Sequence, residues 1–191
     1  NKLALQQRVG LPEDRDVAVL AMVTRLVAAK GLDLVVRMMD EILQHEDIQF
    51  VLLGTGDKEY EDWFKGLAWR FPKKVSANIY FSNQLAQRIY AASDIFLMPS
   101  NYEPCGIGQL IALRYGSVPV VRETGGLYDT VPALNPETMD GLKRALSAYE
   151  NYEEWKQIVE NAMNSDYSWK ESAREYKALY EKLTGSGASE A

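Results

Sequence analysis

The sequence predicts an α/β protein built on a doubly wound, parallel sheet. Short apolar runs of strand length recur along the chain as far as Val121, and an amphipathic run with helical spacing follows most of them. Glycine-containing turns separate several of these strands and helices. Strict alternation of strand and helix requires parallel pairing with right-handed crossovers, which produces an open sheet covered by helices on both faces.

Each predicted strand is a nearly continuous apolar run, as expected for strands buried on both faces. These runs lie at residues 17–23, 49–53, 78–81, 94–98 and 118–121. Helical patterns follow at residues 30–45, 57–70, 84–92 and 108–115, and a short helix begins at Gly125. In the first of these helices, Leu34, Met38 and Leu43 mark the predicted buried stripe.

The chain changes character after Val131, because helical patterns continue there without a further strand. Asn135 and Pro136 predict a helix start, with Asn as the N-cap and Pro at the first helical position. Apolar faces mark the last two helices at Trp155, Ile158, Val159 and Met163, and at Trp169, Ala173, Tyr176, Leu179 and Tyr180. We expect one domain over residues 1–183 and a flexible tail over residues 184–191.

Charge and composition argue against several function classes. The formal net charge of −6 is unsuited to a nucleic-acid partner, which requires unbalanced Lys and Arg clusters. Cys105 is the only cysteine, so no internal disulfide can form and a reducing compartment is expected. No apolar run approaches the roughly 18 residues needed to span a bilayer. The first ten residues lack a signal-peptide pattern. The sequence therefore predicts a soluble, intracellular protein without a membrane partner.

Arg25 and Lys30 lie in the loop between the first strand and its helix. Ligands of open parallel sheets bind outside the carboxyl ends of the strands, so both cations are placed to meet a pyrophosphate there. The structural alternative is that both are solvated loop charges. Gly54 and Thr55 end the second strand and would let the backbone approach a ligand. Their alternative is a tight turn with Asp57 capping the next helix.

Glu103 follows the fourth strand and precedes a small-residue turn through Cys105, Gly106 and Ile107. A carboxylate at this edge would accept hydrogen bonds from sugar hydroxyls, while the amides after it face a phosphate. A helix cap is the alternative for Glu103. We also weigh Cys105 as a nucleophile, but His45 is the only histidine and lies far away in sequence, which argues against thiol catalysis and a metal site.

Thr124, Gly125, Gly126 and Leu127 follow the fifth strand and open a helix. Paired glycines remove the side chains that would keep a phosphate from the helix N-terminus, although a simple turn explains them as well. Phe81, at the end of the third predicted strand, would stack on a base or pack in the core. No cofactor is predicted.

Four segments together resemble the bacterial glycogen synthases and plant starch synthases. They read T-R-L-V-A-A-K-G-L-D-L, L-L-G-T-G-D, R-I-Y-A-A-S-D-I-F-L-M-P-S-N-Y-E-P-C-G-I-G-Q-L and L-R-Y-G-S-V-P-V-V-R-E-T-G-G-L-Y-D-T-V. The resemblance covers residues 1–131 and resumes at Tyr167, Ser168 and Trp169. It implies the carboxyl-terminal, Rossmann-like half of a two-domain glycosyltransferase that is cytoplasmic in bacteria or plastidial in plants.

The resemblance also implies roles for individual residues. Arg25 and Lys30 would meet the diphosphate of ADP-glucose, and Glu103 would meet the donor glucose. The implied substrate-binding residues are Gly54, Thr55, Phe81, Cys105, Gly106, Ile107, Thr124, Gly125, Gly126 and Leu127. The α-1,4-glucan acceptor would be held through an amino-terminal domain outside this sequence, so the fragment alone is not expected to elongate glucan.

The sequence departs from that family at several positions. Gln87 stands where His is usual, Ala92 where Gly is usual, and Asn101-Tyr102 where Arg-Phe is usual. Ile111 stands where related glycosyltransferases carry a glutamate, as is normal in this family. The segment after Val131 is much shorter than the family pattern, which predicts the loss of a sheet strand and part of the donor-pocket rim.

Two further functions stay open from the sequence. A truncated or redesigned scaffold would use the same frame for folding or interaction without sugar chemistry. A donor domain of another retaining glycosyltransferase would bind UDP-glucose instead of ADP-glucose.

Overall fold

The computed structural model describes residues 1–131 and 141–184, and its sheet confirms the predicted fold class. Five parallel strands are arranged in the order β3-β2-β1-β4-β5. The strands are β1 (Ala18–Val23), β2 (Ile48–Leu53), β3 (Val75–Asn78), β4 (Ile95–Met98) and β5 (Val118–Val121). The order reverses between β1 and β4, which creates the crevice at the carboxyl ends of these two strands where such sheets bind ligands.

Helices cover both faces of the sheet. The described helices are α1 (Lys2–Val9), α2 (Leu32–His45), α3 (Lys58–Arg70), α4 (Asn83–Tyr90), α5 (Gly108–Tyr115), α6 (Gly125–Thr130), α7 (Gly141–Glu150), α8 (Tyr152–Asn164) and α9 (Trp169–Thr184), with a 3-10 turn at Ala28–Lys30. Along β1, Leu20 and Met22 pack with α2, α3 and α7, whereas Val19 and Ala21 pack with α1, α4 and α5. This alternation is why the central strand is apolar throughout.

The buried stripe of α2 differs from the predicted one. Leu32, Val35, Met39 and Leu43 face the sheet, whereas Leu34 and Met38 are exposed. Met38 and Met39 are adjacent and both apolar. Helical spacing alone therefore fits two apolar faces of α2, one through Met38 and one through Met39. The contact with the sheet selects the stripe that begins at Leu32.

The third predicted strand is wrong in position, because β3 comprises Val75–Asn78 and shares only Asn78 with residues 78–81. Register pairs Val75 with Phe50 and Asn78 with Leu53. The chain leaves the sheet after Asn78, and Phe81 is 84% exposed. β3 is an edge strand and pairs with one neighbour, β2. An edge strand needs fewer apolar residues, so the strand forms at Val75–Asn78 although the segment that follows is more apolar.

Helix α1 was not predicted from the sequence. Its Leu5 joins the core on the face of the sheet that α4 and α5 cover. The three predicted carboxyl-terminal helices are present as α7, α8 and α9. The helix start predicted at Asn135 lies outside the described residues, as does most of the predicted tail, so the domain limits stay a prediction. Within the described ranges, no helix combines the length and the apolar character needed to cross a membrane.

A buried ion pair joins α1 to the amino end of the sheet. Lys2 Nζ lies 2.8 Å from Asp94 Oδ2 and donates to Tyr149 Oη at 2.7 Å, while the same carboxylate accepts the Val19 amide at 2.8 Å. Burial acts to lower the pKa of Lys2, but Asp94 and Tyr149 outweigh it and raise that pKa above 10.5. Burial is the larger effect on Asp94 and raises the pKa of its carboxyl.

We expect Asp94→Asn to lower the free energy of unfolding by roughly 2–3 kcal/mol, because it leaves the Lys2 ammonium unpaired in a mostly buried position. The amide oxygen can still accept the Val19 amide, so the change isolates the charge. Denaturant unfolding measures the loss. Because the pKa of Lys2 is raised on folding, the wild type also loses stability as the pH rises above 10.5, and the variant should lose less there.

Asp40→Asn is the matched control, since Asp40 forms a bidentate contact with Arg70 at 2.7 and 2.8 Å on a surface where both side chains are about 40% exposed. It should cost less than about 1 kcal/mol. Equal losses for the two variants would show that burial does not strengthen the Lys2 contact.

Candidate functional site

A cleft of about 240 Å³ opens at the carboxyl ends of β1 and β4, at the point where the strand order reverses. Predicted site residues from two separate segments of the chain, the loops after β1 and β4, line it. These residues are Arg25, Lys30, Glu103, Gly106 and Ile107, together with neighbours that include Tyr90, Ser100 and Gly108. The structure therefore brings together the two cations, the carboxylate and the α5 start that the sequence placed along one sheet edge.

Lys30 and Glu103 form the polar centre of the cleft. Lys30 Nζ lies 2.6 Å from Glu103 Oε2, and the two side chains are only 20% and 13% exposed. Ser100 Oγ donates to the same carboxylate oxygen at 3.1 Å. Opposite charges and a hydroxyl donor satisfy groups that would otherwise be costly to bury. Neither Lys30 nor Glu103 is a solvated loop charge, and Glu103 is not a helix cap.

Arg25 lines the same cleft from a more exposed position. None of the described acidic side chains forms an ion pair with it. An exposed guanidinium beside a buried ammonium gives the cleft two fixed positive charges, of which one is already paired with Glu103.

Close backbone packing holds the Lys30 loop against the loop that follows β4. Gly31 has φ +68°, and a Cβ on this residue would lie 1.8 Å from the Pro99 carbonyl oxygen. Asn101 donates its amide to Ala29 O and its side-chain Nδ2 to Ala28 O, both at 3.0 Å. Only glycine permits this approach, which sets the distance from Lys30 to Glu103.

Gly54 and Thr55 lie outside the lining of the cleft. A Cβ on Gly54 would lie 2.0 Å from Thr24 O, and the Thr55 carbonyl accepts the Leu26 amide at 2.9 Å. This turn packs against the Arg25 loop and so supports it from behind. Asp57 occupies the N-cap position of α3 without a side-chain cap hydrogen bond. Direct ligand binding by Gly54 and Thr55 stays a prediction.

The start of α6 packs on the backbone of the Glu103 loop. The Gly126 amide donates to Glu103 O at 3.0 Å, and a Cβ on Gly125 or Gly126 would lie 2.3 Å from the carbonyl oxygen of Glu103 or Cys105. A side chain on either glycine would therefore strike protein backbone, and contact of this helix start with a phosphate stays a prediction. Leu127 is buried, and its amide donates to Thr124 O at 3.1 Å.

The remaining predicted residues lie outside the lining of the cleft. Cys105 is exposed between Glu103 and Gly106, and Thr124 Oγ1 donates to Asn101 O at 3.5 Å. Phe81 is exposed rather than packed in the core, so its ring is available for stacking. Its contact with a base stays a prediction.

The sequence model of the family described as "Glycosyl transferases group 1" matches residues 5–178. This chain belongs to that family.

Curated relatives of this chain confirm the predicted resemblance. Glycogen synthase of Bacillus subtilis is 52% identical over 203 aligned positions, covering 98% of this chain and 42% of the relative. Glycogen synthase of Clostridium beijerinckii is 53% identical over 201 positions, covering 97% and 42%. The chain thus spans about two fifths of the length of these relatives. The first alignment exceeds the 191 residues of this chain, so the relative has residues without a counterpart here, as a shortening after Val131 predicts.

Solved structures of other glycosyltransferases share the fold. The catalytic domain of starch synthase IV from Arabidopsis thaliana, bound to ADP and acarbose, has a TM-score of 0.80 and 35% identity, covering 95% of this chain and 41% of that one. The carboxyl-terminal domain of LpcC, a group 1 family protein of Francisella tularensis, has a TM-score of 0.63 and 16% identity, covering 86% and 90%. At that identity, the second likeness concerns the fold alone.

Several residues at this cleft were not predicted from the sequence. Ser100 holds the Glu103 carboxylate, Asn101 joins two loops, and Gln109 lies buried beneath the Gly106 turn. Burial raises the pKa of Tyr90, which lines the cleft. Their polar side chains next to glycine turns were the available signal, but partners far apart in sequence decide their roles. Among the described residues, no cluster of three or more His, Cys, Asp or Glu could hold a metal ion.

Proposed function

We propose that this chain is the donor-binding part of a retaining glucosyltransferase that adds glucose from ADP-glucose to an α-1,4-glucan. The observation that carries the proposal is the part-buried Lys30–Glu103 pair, which shares with Arg25 a cleft at the point where the strand order reverses. A diphosphate needs fixed cations, and a sugar needs hydrogen-bond acceptors. Both are present within one cleft.

The two cations act on the diphosphate end of the donor. Lys30 and Arg25 neutralise the negative charge that grows on the nucleoside diphosphate as the bond to glucose breaks, which lowers the barrier to transfer. In a partly buried cleft this stabilisation is stronger than in water. Their charge also attracts the donor before reaction.

Glu103 acts on the sugar end. Its carboxylate accepts from Lys30 and Ser100 in this structure, so it is oriented without a ligand. On donor binding, Lys30 turns to phosphate and the carboxylate accepts sugar hydroxyls instead. Exchange of one charge partner for another avoids leaving either group unpaired.

Similarity favours the adenine nucleotide over uridine. The starch synthase structure that is 35% identical is described as bound to ADP and acarbose. Four solved structures described with UDP or UDP-glucose are 15–21% identical, so their likeness concerns the fold alone. The exposed Phe81 ring is proposed to stack on adenine, and the amides near Gly106, Ile107, Thr124 and Gly125 are proposed to border the donor.

In this proposal, the glucan acceptor binds with the help of the part of the enzyme that this chain does not contain. The curated relatives are more than twice as long as this chain, and the glucan would bind between this part and the remainder. The fragment therefore binds donor without elongating glucan by itself. The corresponding compartment is the bacterial cytoplasm or a plastid.

Isothermal titration of the chain with ADP, UDP and inorganic diphosphate tests this proposal. We expect saturable ADP binding, weaker UDP binding, and diphosphate competing with ADP for the cleft. Absence of ADP binding at millimolar concentration would contradict a donor site, and a preference for UDP would assign the chain to a different donor class.

A further inference from the structure

Two polar residues at the ends of the E-P-C-G-I-G-Q and G-G-L-Y-D-T segments are hydrogen-bonded to each other. Gln109 Nε2 donates to Thr130 Oγ1 at 3.1 Å, and Thr130 Oγ1 donates to Gly126 O at 2.6 Å. Gln109 also reaches back to the carbonyl oxygens of Cys105 and Gly106, each at 3.2 Å. One buried amide group therefore joins the turn before α5 to the carboxyl-terminal end of α6, and the Thr130 hydroxyl contacts Gly126 in the first turn of the same helix.

Hydrogen bonds connect the Glu103 loop, α5 and α6 to one another in a closed circuit. The Gly126 amide donates to Glu103 O at 3.0 Å, so α6 is tied to the Glu103 loop through its backbone at one point and through Gln109 at another. A Cβ on Gly126 would lie within 2.3–2.8 Å of three Cys105 backbone atoms. The Glu103 loop and the start of α6 are therefore packed too closely to shift relative to each other.

Burial of the polar Gln109 side chain lowers the stability of the fold in a way that an apolar side chain at this position would not. Its side chain is fully buried, and three acceptors surround Nε2, which fixes the orientation of the amide. Its Oε1 then faces Gly106 without a hydrogen-bond partner among the described residues. A buried acceptor without a partner reduces stability, so its presence beside a site indicates a requirement for position.

We propose that Gln109 and Thr130 are positioning residues that lock the Glu103–Ile107 loop onto α6. The lock holds the Glu103 carboxylate, the Gly106 turn and the exposed Gly125 backbone at fixed separations before donor binds. Neither side chain needs to contact the donor. The inference deepens the proposed function and rests on it, because its consequence for binding is the affinity for ADP.

Thr130→Val tests the lock, because valine has nearly the shape of threonine but neither donates nor accepts a hydrogen bond. Thr130→Ser is the matched control that keeps the hydroxyl. We expect Thr130→Val to weaken ADP binding about fivefold to tenfold in isothermal titration, and Thr130→Ser to stay within about twofold of the wild type. Thermal unfolding midpoints of both variants show whether the fold is retained.

Amide hydrogen exchange gives a readout that needs no ligand. The Gly126 amide should exchange faster in Thr130→Val than in Thr130→Ser, while amides within β1 and β2 stay unchanged. If Thr130→Val binds ADP like the wild type, or if both variants lose affinity equally, the lock is overturned. If the wild type itself fails to bind ADP, the proposed function fails, and the lock is then accepted or rejected on the Gly126 exchange rate alone.

Discussion

The double variant Arg25→Ala plus Lys30→Ala is expected to weaken ADP binding by at least about 100-fold. Each side chain would contribute charge-assisted hydrogen bonds to the diphosphate, and such bonds are worth about 1.5–3 kcal/mol apiece. Isothermal titration measures the loss directly. Lys30→Ala also leaves Glu103 without its 2.6 Å partner, so the thermal midpoint must be recorded beside the affinity.

The matched control for this variant is Lys58→Ala plus Lys65→Ala. Both lysines lie on α3, and within the described ranges their ion pairs are with Glu61 and Asp62 on the helix surface. Their removal changes the net charge by the same amount. It should leave ADP binding nearly unchanged. Similar losses for the two double variants would show that overall charge, and not the cleft, attracts the nucleotide.

Gly31→Ala is expected to lower the free energy of unfolding by roughly 3 kcal/mol or more, and to abolish ADP binding under the same conditions. Its φ of +68° disfavours any side chain, and the added Cβ would lie 1.8 Å from Pro99 O, a backbone atom that cannot turn away. Relief requires the Lys30 loop to lift from the loop that carries Glu103. Denaturant unfolding and titration together measure both effects.

Two other glycines separate the causes. Gly10 has φ +76° with nothing within 4 Å of an added Cβ, so Gly10→Ala reports the backbone cost alone, about 1 kcal/mol. Gly66 lies inside α3 with the same open space, and Gly66→Ala should stabilise the chain by about 0.5–1 kcal/mol. If Gly31→Ala costs no more than Gly10→Ala, the close approach to Pro99 does not fix the Lys30 loop.

The sequence predicted which residues form the candidate site but not which of them contact each other. A loop that follows a parallel strand must emerge at the carboxyl edge, so Arg25, Lys30 and Glu103 could be assigned to one edge before any coordinates. The direct contact between Lys30 and Glu103 could not, because it depends on the packing of Gly31 against Pro99. The packing of the paired glycines on the Glu103 and Cys105 backbone was also not predictable, since only the fold shows which backbone they face.

Errors in the fold have the same origin. The β3 position and the α2 stripe were wrong because short apolar patterns admit neighbouring solutions, and contacts with other elements select among them. Val75 pairs with Phe50, and Met39 rather than Met38 reaches the sheet. Helix α1 was missed because its burial depends on distant partners, such as Gln49, which accepts from Gln6 at 2.9 Å.

The sequence by itself determined the alternation of strands and helices, the parallel sheet, and the edge at which the charged loops lie, since these follow from local periodicity and chain direction. Tertiary structure alone decided which loops touch, which glycines are indispensable, and how Gln109 meets Thr130. The physical reason is that these contacts join residues far apart along the chain. Their distances are set by close packing of backbone on backbone, which no local pattern records.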